Sequence, residues 1–394
     1  MLVIFGHMTY QAPLLDPGYA CDLLHIDYGP QAVFVFFIIS GYVIGLTSSG
    51  PATGPAVRDY CSRRLLRIVP IAWTAILLTW VILRRNGLGA VLGNLLFLQN
   101  YQPYPFGVHV PVLYDNPPLW SLSFEMLYYA LFILVWRHPG KLRAVFGITI
   151  VMAFSDLVGV APIFTRYAAY FVFWLVGLAA AWRSKAPEAG ERSSWPSAFC
   201  AAFVTWSVMP VHTILASMSS RLAFLDWDRF HVDALLGSVL IVLSVTRRSP
   251  ALCRRLIALA AVLGLVALPL RYLDASLSSQ EFLGAALLCM SFVGRNWRPG
   301  MKPLAALAPV GLVSYALYAA AYPLMRVVYR SPFLPSGSAS TFFLRAVVYF
   351  FLCGTAAYLL ERVLQPRWVR MLSPFLGLRA KAAPGAAPAP APGS

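Results

Sequence analysis

The stretch GPQAVFVFFIISGYVIG, residues 29–45, has no charged side chain and decides how the chain must fold. At about 1.5 Å per residue, a helix of this length reaches roughly 25 Å, close to the ~30 Å hydrocarbon core of a bilayer. Gly41 and Gly45 form a small-xxx-small pair that lets two helices approach closely. The Ser40 hydroxyl can bond its own backbone or a neighbouring helix. The stretch predicts a transmembrane helix with a packing motif.

Similar apolar runs recur along the chain and predict about 10–12 transmembrane helices in one bundle. They lie near residues 1–12, 30–48, 67–83, 119–136, 143–161, 167–182, 198–216, 231–246, 253–270, 280–294, 306–328 and 341–362. The first run is short, so we expect a truncated first helix. Residues 87–100 are too few to span and predict an interfacial or re-entrant helix. The aromatic, proline-rich loop 100–118 predicts a lid or a spacer.

The composition agrees with this pattern. The chain has 394 residues, of which 59% are hydrophobic and 12% charged, and its mean hydropathy is +0.69. A soluble fold could not bury so much apolar surface, whereas lipid solvates it. We predict an all-α polytopic membrane protein, with one membrane domain over residues 1–370. Residues 371–394 predict a low-complexity, disordered cytoplasmic tail. The absence of an internal repeat disfavours the two related halves of many transporters.

The net charge of +16 is explained by topology. With both termini in the cytoplasm, 22 of the 31 Lys and Arg residues fall on the inner side, as the positive-inside rule requires. The inner segments are 49–66, with Arg67 counted alongside it, 137–143, 183–196, 247–255, 295–303 and the tail from 362. Because the basic residues lie between apolar runs, we expect lipid and not nucleic acid as a partner. The six scattered cysteines form no CxxC pair, and no metal-ligand cluster is present in the sequence.

Two of the ionisable residues inside predicted membrane helices are candidates for chemistry. His7 lies in the opening run MLVIFGHMTY, and Glu125 lies in NPPLWSLSFEMLYY, residues 116–129. At 1.5 Å per residue, Glu125 is roughly 10 Å below the outer boundary, where His7 also belongs. Ionisable groups at such depth usually serve function, and histidine can accept a proton near neutral pH. The two residues predict a base and an orienting acid. The alternative is a packing histidine bonded to a neighbouring helix.

A basic cluster lies in RDYCSRRLLRIVP, residues 58–70. Arg63, Arg64 and Arg67 are at helical spacing, and the last two share a face. Such a cluster can bind phosphates. The alternative is anchoring to lipid headgroups. Because the arginines lie on the cytoplasmic side, opposite Glu125, the polarity suits an enzyme that takes an activated group from inside and delivers it outward. Trp120, Tyr128 and Tyr129 are expected as interface anchors.

Together these stretches resemble the integral-membrane acyltransferase family 3, whose members acylate surface polysaccharides, lipopolysaccharide, nodulation factors and macrolides. The resemblance lies in the order and spacing of short motifs over nearly the whole chain. The matching residues are His7; Phe36, Phe37, Ser40 and Gly41; Arg63, Arg64, Arg67 and Pro70; Trp120, Ser121, Leu122, Glu125 and Tyr129; Ser314, Tyr315, Tyr318 and Pro323; and Glu361 and Pro366.

The resemblance implies transfer of an acyl group, which we expect to be acetyl, from cytoplasmic acyl-CoA to a hydroxyl of a cell-surface or lipid-linked glycan. It implies His7 as the general base on the acceptor hydroxyl, and it implies that the three arginines help to hold the CoA phosphates or assist their approach from the cytoplasm. Glu125 would orient His7 or shape the site. The remaining site-shaping residues would be Ser40, Gly41, Trp120, Ser121, Tyr129, Ser314 and Tyr315. Acyl-CoA would be a co-substrate, with no permanently bound cofactor and no metal.

The sequence departs from the family pattern at several positions. The basic residue usual about ten positions before the histidine would precede Met1. Phe34 stands where an aspartate is common, and Ala321 where many members have a second histidine. We expect no separate extracytoplasmic domain of the kind that some members carry, so that this chain would finish the transfer itself.

Other functions are open from the sequence. The acceptor could be a small secondary metabolite such as a macrolide. A transporter or flippase fits the helix count, and a catalytically inactive scaffold fits the short N-terminus. The usage of Ala, Arg and Pro favours a GC-rich bacterial genome, which places the protein in the bacterial cytoplasmic membrane.

Overall fold

The computed structural model describes residues 15–16, 29–100, 108–155, 162–183, 195–208, 232–246, 250–274, 286–291, 302–306 and 308–375. Within these ranges all regular structure is helical and no strand occurs. The predicted fold class, an all-α polytopic membrane protein, is confirmed. The first predicted helix, with His7, lies outside the described residues, as do loop residues 101–107 and the tail beyond 375.

Twelve labelled helices position the parts of the molecule discussed below. They are α1 (Gly29–Thr47), α2 (Gly54–Leu83), α3 (Leu88–Leu95), α4 (Trp120–Arg137), α5 (Leu142–Ser155), α6 (Pro162–Arg183), α7 (Trp195–Val208), α8 (Val232–Thr246), α9 (Pro250–Asp274), α10 (Ser314–Arg330), α11 (Ala339–Tyr358) and α12 (Gln365–Leu372). Short helical segments occur at Pro117–Leu119, Pro139–Lys141, Lys302–Ala305 and Ala308–Leu312, and a π-helical turn, Leu359–Leu364, joins α11 to α12.

Four helical stretches among the described residues are long and apolar enough to cross a membrane. They are Gly54–Leu83, Pro117–Arg137, Phe164–Trp182 and Ala339–Leu372. Two shorter apolar helices lie at Gln31–Thr47 and Ala234–Thr246. The total of 10–12 spans stays a prediction, because several predicted runs extend beyond the described ranges. Helix α3 has eight residues, which confirms that the segment 87–100 contains no spanning helix.

Helix α2 begins well before the apolar run that predicted it. The Thr53 hydroxyl accepts a hydrogen bond from the Ala56 N–H at 3.4 Å, and Pro55 occupies the first turn. Both features start helices. The helix ends at Arg84, which has a left-handed φ of 50°. Residues 54–66, predicted as part of a cytoplasmic loop, are therefore helical, and they carry the arginine cluster on a rigid element.

Helices α1 and α6 contact each other backbone to backbone. A Cβ on Gly41 would lie 2.0 Å from the Trp174 carbonyl oxygen, and a Cβ on Gly177 would lie 1.9 Å from that of Ile38. Only hydrogen fits at these positions. The Trp182 indole N–H also donates to the Gly45 carbonyl at 3.2 Å. The predicted packing role of Gly41 and Gly45 is confirmed.

Aromatic rings fill the space between α1, α4 and α6. Phe34 is 1% exposed and stacks on Phe173 at 4.7 Å. Phe37 is fully buried and meets Tyr128 edge-on at 5.5 Å. Phe34, which stands at the family's usual aspartate position, is thus integrated into an apolar cluster. A carboxylate there would be buried among rings.

Leu15 and Asp16 are fixed against the turn between α10 and α11. The Asp16 carboxylate accepts hydrogen bonds from the Gly337 N–H at 2.8 Å and the Thr341 hydroxyl at 2.7 Å. Arg345, only 2% exposed, donates to the Leu15 carbonyl at 3.3 Å. These bonds hold the chain shortly after the predicted first helix against the end of the bundle where α10 ends and α11 begins.

Candidate active site

The Glu125 carboxyl group lies in the protein interior between α1 and α4. Glu125 is 2% exposed. Its Oε1 accepts a hydrogen bond from the Ser40 hydroxyl at 3.1 Å and another from the Tyr129 hydroxyl, one turn later on α4. An acidic group this deep is expensive unless it is hydrogen-bonded. Ser40 and Tyr129 supply those bonds, and the Gly41 contact holds α1 in place beside them.

Arg64 approaches the same group from the start of α2. Its guanidinium carbon is 5.7 Å from the centroid of the Tyr129 ring and 5.8 Å from that of Tyr60, within cation–π range. It also donates to the Thr47 hydroxyl at 3.4 Å. Tyr129 therefore contacts Arg64 with its ring and Glu125 with its hydroxyl. The sequence placed the arginines and Glu125 on opposite sides of the membrane, but a single side chain connects them.

Arg67 is occupied by an internal partner. Its Nη1 lies 2.5 Å from Glu361 Oε2 and 3.2 Å from Gln365 Oε1. Glu361 has a side chain 2% exposed and lies in the π-helical turn, a feature often found at functional sites. Because Arg67 already balances a buried carboxylate, it has less charge to offer a ligand than Arg64.

Pro70 explains how α12 attaches beside Arg67. Proline has no N–H, so the Leu66 carbonyl one turn earlier loses its usual helical donor. The Gln365 amide donates to the carbonyl oxygens of Leu66 at 3.5 Å and Arg67 at 3.2 Å. The proline of the basic motif thus provides a docking point for the C-terminal helix.

Arg63 lies at the more exposed side of this arrangement. It pairs with Asp59, one turn earlier, at 2.6 Å, and the two side chains are 56% and 44% exposed. Such surface pairs contribute little to stability. The three arginines, which the sequence treated as one cluster, therefore have three environments: a surface pair, a cation over two rings and a partly buried ion pair.

A cavity of about 490 Å³ opens at the arginines, and we call it the basic cavity. It is lined by Val43, Thr47, Ser48, Tyr60, Arg63, Arg64, Leu66, Arg67, Gln365 and Val369. Its volume is in the range of small-molecule sites. Among the residues that the structure describes, Arg64 has no carboxylate within 4 Å, so its charge remains available in this cavity.

Helix α10 carries the later predicted residues Ser314 and Tyr315. Tyr315 is buried and donates to the Ile68 carbonyl at 3.2 Å, close to the basic cavity. Three residues on, the Tyr318 hydroxyl bonds the Ser121 hydroxyl at 2.8 Å. Ser314 is exposed and donates to the Gly311 carbonyl at 2.8 Å. The structure thus brings Tyr315 and Ser121 into the helix bundle, whereas Ser314 starts α10 at its surface.

Two of the three predicted interface anchors, Tyr128 and Tyr129, lie inside the protein. Tyr128 is fully buried and donates to the Tyr167 carbonyl at 2.9 Å, and Tyr129 is 8% exposed. Trp120 is half-buried and meets the Phe124 ring at 5.2 Å. The anchor interpretation is therefore wrong for Tyr128 and Tyr129, because their hydroxyls bond protein groups. His7 lies outside the described residues, and its distance to Glu125 stays open.

The contact partners of two arginines, Tyr60 for Arg64 and Glu361 for Arg67, were not predicted from the sequence. Tyr60 lies four residues before Arg64 on α2, and that spacing could have identified it. Glu361 was noted for its motif, but nothing local links it to Arg67, 294 residues away.

A multi-pass helical bundle with a buried, hydrogen-bonded carboxyl beside a basic cavity has the features of an integral-membrane transferase. The family comparison is more specific: the chain matches the family model described as "Acyltransferase domain" over residues 1–270, and it belongs to that family. The predicted resemblance to acyltransferase family 3 is confirmed.

Two curated proteins are similar to this chain. The exopolysaccharide production protein ExoZ of Rhizobium meliloti (strain 1021) is 31% identical over 178 residues, which cover 39% of this chain and 53% of ExoZ. The acyltransferase MdmB of Streptomyces mycarofaciens is 29% identical over 152 residues, covering 36% of this chain and 38% of MdmB. The matched part of the chain therefore spans about half or less of each relative. No solved structure matches.

Proposed function

We propose that this protein is a membrane O-acyltransferase that moves an acyl group, acetyl in the simplest case, from cytoplasmic acyl-CoA to a hydroxyl of a surface or lipid-linked glycan. Family membership supports the acyl transfer. The glycan acceptor is supported by the similarity to a protein named for exopolysaccharide production. We place the protein in the bacterial cytoplasmic membrane with the basic cavity facing the cytoplasm.

The observation that carries the proposal is the path from Arg64 through Tyr129 to Glu125. A cation that has no carboxylate partner among the described residues lies in the basic cavity, where the phosphates of CoA can bind. The Tyr129 ring lies beneath that cation, and the Tyr129 hydroxyl donates a hydrogen bond to the buried carboxyl of Glu125. A donor held by Arg64 would therefore extend its thioester toward the acidic group.

The chemistry requires a base on the acceptor. In the proposed step, His7 takes the proton of the acceptor hydroxyl as its oxygen bonds to the thioester carbonyl carbon. The carbon–sulfur bond then breaks, and the proton passes to the CoA thiolate, leaving an ester and free CoA. Glu125 would orient His7 or shape its surroundings.

The test separates Arg64 from Arg63, which precedes it on the same turn. Isothermal titration of the purified full-length protein with CoA measures donor binding without an acceptor. Loss of a charge-assisted contact of about 1.5–3 kcal/mol would weaken binding by roughly 10- to 100-fold in Arg64→Ala. Arg63→Ala, which loses an exposed pair, should stay within about twofold. Equal effects of the two changes would refute the assignment of Arg64.

A second arm tests the reaction. Transfer of radiolabelled acetyl from acetyl-CoA should be lost in His7→Ala while CoA binding is kept. Transfer at the full rate would mean that His7 is not the base. Mass spectrometry of surface glycans with and without the gene would identify the acceptor as the pool that loses an acetyl mass.

A further inference from the structure

A second polar cluster lies at the other end of the bundle from the basic cavity, just before Pro117–Leu119. Asp115 is fully buried, yet neither of its carboxylate oxygens has a hydrogen-bond partner among the described residues. Arg326 Nε lies 3.8 Å from Asp115 Oδ1, within ion-pair range but too far for a hydrogen bond. That Nε also lacks a hydrogen-bond partner there. Asp115 and Arg326 thus form an ion pair that has no hydrogen bond between its two groups.

Neighbouring groups add to the same imbalance. Asn116 is fully buried; its amide donates to the Ala319 carbonyl at 2.9 Å, while its Oδ1 has no partner among the residues described. The Arg326 guanidinium lies 5.9 Å from the Tyr114 ring centroid and 5.5 Å from that of Tyr322. Tyr114 is 61% exposed, and its N–H donates to Asn86 Oδ1 at 3.0 Å. We call Tyr114, Asp115, Asn116 and Arg326 the Asp115 cluster.

Buried polar atoms are nearly always hydrogen-bonded, so a group of orphaned ones indicates a missing partner, either a ligand or buried water. The orphans here are three acceptor oxygens and one donor. A phosphate or carboxylate ligand would add acceptor atoms where donors are needed, and the Asp115 carboxylate would repel it. A cation would be repelled by the Arg326 guanidinium. A polyol suits the set, because each hydroxyl can donate to an oxygen and accept from the guanidinium. The Arg85 guanidinium also lies 5.6 Å from the Tyr114 ring centroid, and the part of the ring that stays exposed adds an apolar surface for a sugar.

The position suits an acceptor held away from the reacting group. From Asp115 to Glu125 the chain is helical over most of its course and advances roughly 15–20 Å. On α10, Arg326 is eleven residues beyond Tyr315, and Tyr318 and Tyr322 lie between them on the same face. Tyr315 reaches Ile68 near the basic cavity. One helix face therefore connects the donor end with the Asp115 cluster.

From these observations we infer that the Asp115 cluster is a carbohydrate-binding subsite, which holds sugar hydroxyls of the acceptor beyond the unit that is acylated. The choice of a sugar rests on the proposed transferase function, whereas the position of the site rests on the orphaned groups alone. Buried water is the competing occupant.

Saturation-transfer NMR on the full-length protein in lipid nanodiscs tests the subsite without any donor. The probes are cellobiose, lactose and N,N′-diacetylchitobiose. At least one should receive saturation from the wild type, and Asp115→Asn should lower that transfer at least fivefold, since it replaces one acceptor oxygen with a donor and removes the charge. Asp59→Asn, the same change in the exposed pair with Arg63, should leave it unchanged.

Tyr114→Ala provides a second variant in case Asp115→Asn disturbs folding, because the Tyr114 side chain is largely exposed. It should also lower transfer to the sugar protons, by about threefold or more. Absence of saturation for all three sugars in the wild type, or unchanged transfer in both variants, would overturn the subsite and leave water as the occupant. Acetyl transfer measured in parallel distinguishes the two ideas: sugar binding without transfer would reject the proposed function alone, and transfer with unaltered variants would reject the subsite alone.

Discussion

Replacing Gly41 by alanine should separate α1 from α6. The added Cβ would lie 2.0 Å from the Trp174 carbonyl oxygen, 3.0 Å from its carbonyl carbon and 3.2 Å from the Leu178 nitrogen. Real Cβ contacts essentially never fall below 3.0 Å. The opposing atoms belong to the backbone and cannot rotate away. The two helices must therefore move apart by at least about 1 Å, which weakens dispersion contacts along their whole interface.

The expected cost follows from that geometry. Overpacking a tight interior costs about 1–3 kcal/mol, and a clash with rigid backbone belongs at the upper end of this range. Alanine recovers about 1 kcal/mol because it is the better helix former. We expect a net loss of about 2 kcal/mol, or roughly 2–3 °C in Tm for a chain of this length.

The matched control is Gly354→Ala in α11. A Cβ on Gly354 would meet nothing within 4 Å. Both changes add one methyl group in a helix, so they share the gain in propensity and differ only in the clash. Thermal unfolding of the two purified variants in detergent, followed by size-exclusion chromatography, gives the difference in Tm. Gly41→Ala should unfold first, and Gly354→Ala should match or exceed the wild type. Equal midpoints for both variants would falsify the close contact between α1 and α6.

Two further predictions concern the residues around Glu125 and the basic cavity. Arg67→Ala should lower the free energy of unfolding by about 2 kcal/mol, because it leaves the buried Glu361 carboxylate without its partner, while Arg67 itself is partly exposed. Adding Glu361→Gln to the same chain should restore much of that loss. Thermal midpoints that show no such rescue would contradict the Arg67–Glu361 ion pair. Tyr129→Phe removes one hydrogen bond to Glu125 and should lower stability by about 1–3 kcal/mol. CoA binding, measured by titration, should stay unchanged because the ring under Arg64 remains. Weakened CoA binding would count against a cation–π role for Tyr129.

Much of the molecule could be predicted from residues close together in the sequence. Apolar runs gave the helical membrane fold, because a bilayer leaves the backbone few other ways to satisfy its hydrogen bonds. The pair Gly41 and Gly45 indicated a close helix contact. The bond from Tyr129 to Glu125 spans one helical turn, which is also readable from spacing. By contrast, hydropathy alone set the start of α2 too late, because the cap at Thr53 is polar.

The environments of the three arginines could not be predicted in this way. Arg63 pairs with Asp59 one turn away, but Arg67 pairs with Glu361 across 294 residues. The two are brought together where Gln365, at the start of α12, binds the carbonyl oxygens of α2. Arg64, by contrast, has no carboxylate within 4 Å among the residues that the structure describes, and the side chains of Tyr60, Tyr129 and Thr47 surround it instead.

The sequence by itself determined the membrane environment, the helical architecture and the chemical groups available, since each follows from composition and from periodicities of a few residues. Tertiary structure decided which arginine is available to an acyl donor and that Ser40 and Tyr129 both bond the Glu125 carboxyl. It also placed Asp115 beside Arg326 as an ion pair without a hydrogen bond. These are contacts between helices distant in sequence. Their partners depend on how the bundle packs, and spacing along one helix carries no information about the side chains that another helix brings to it.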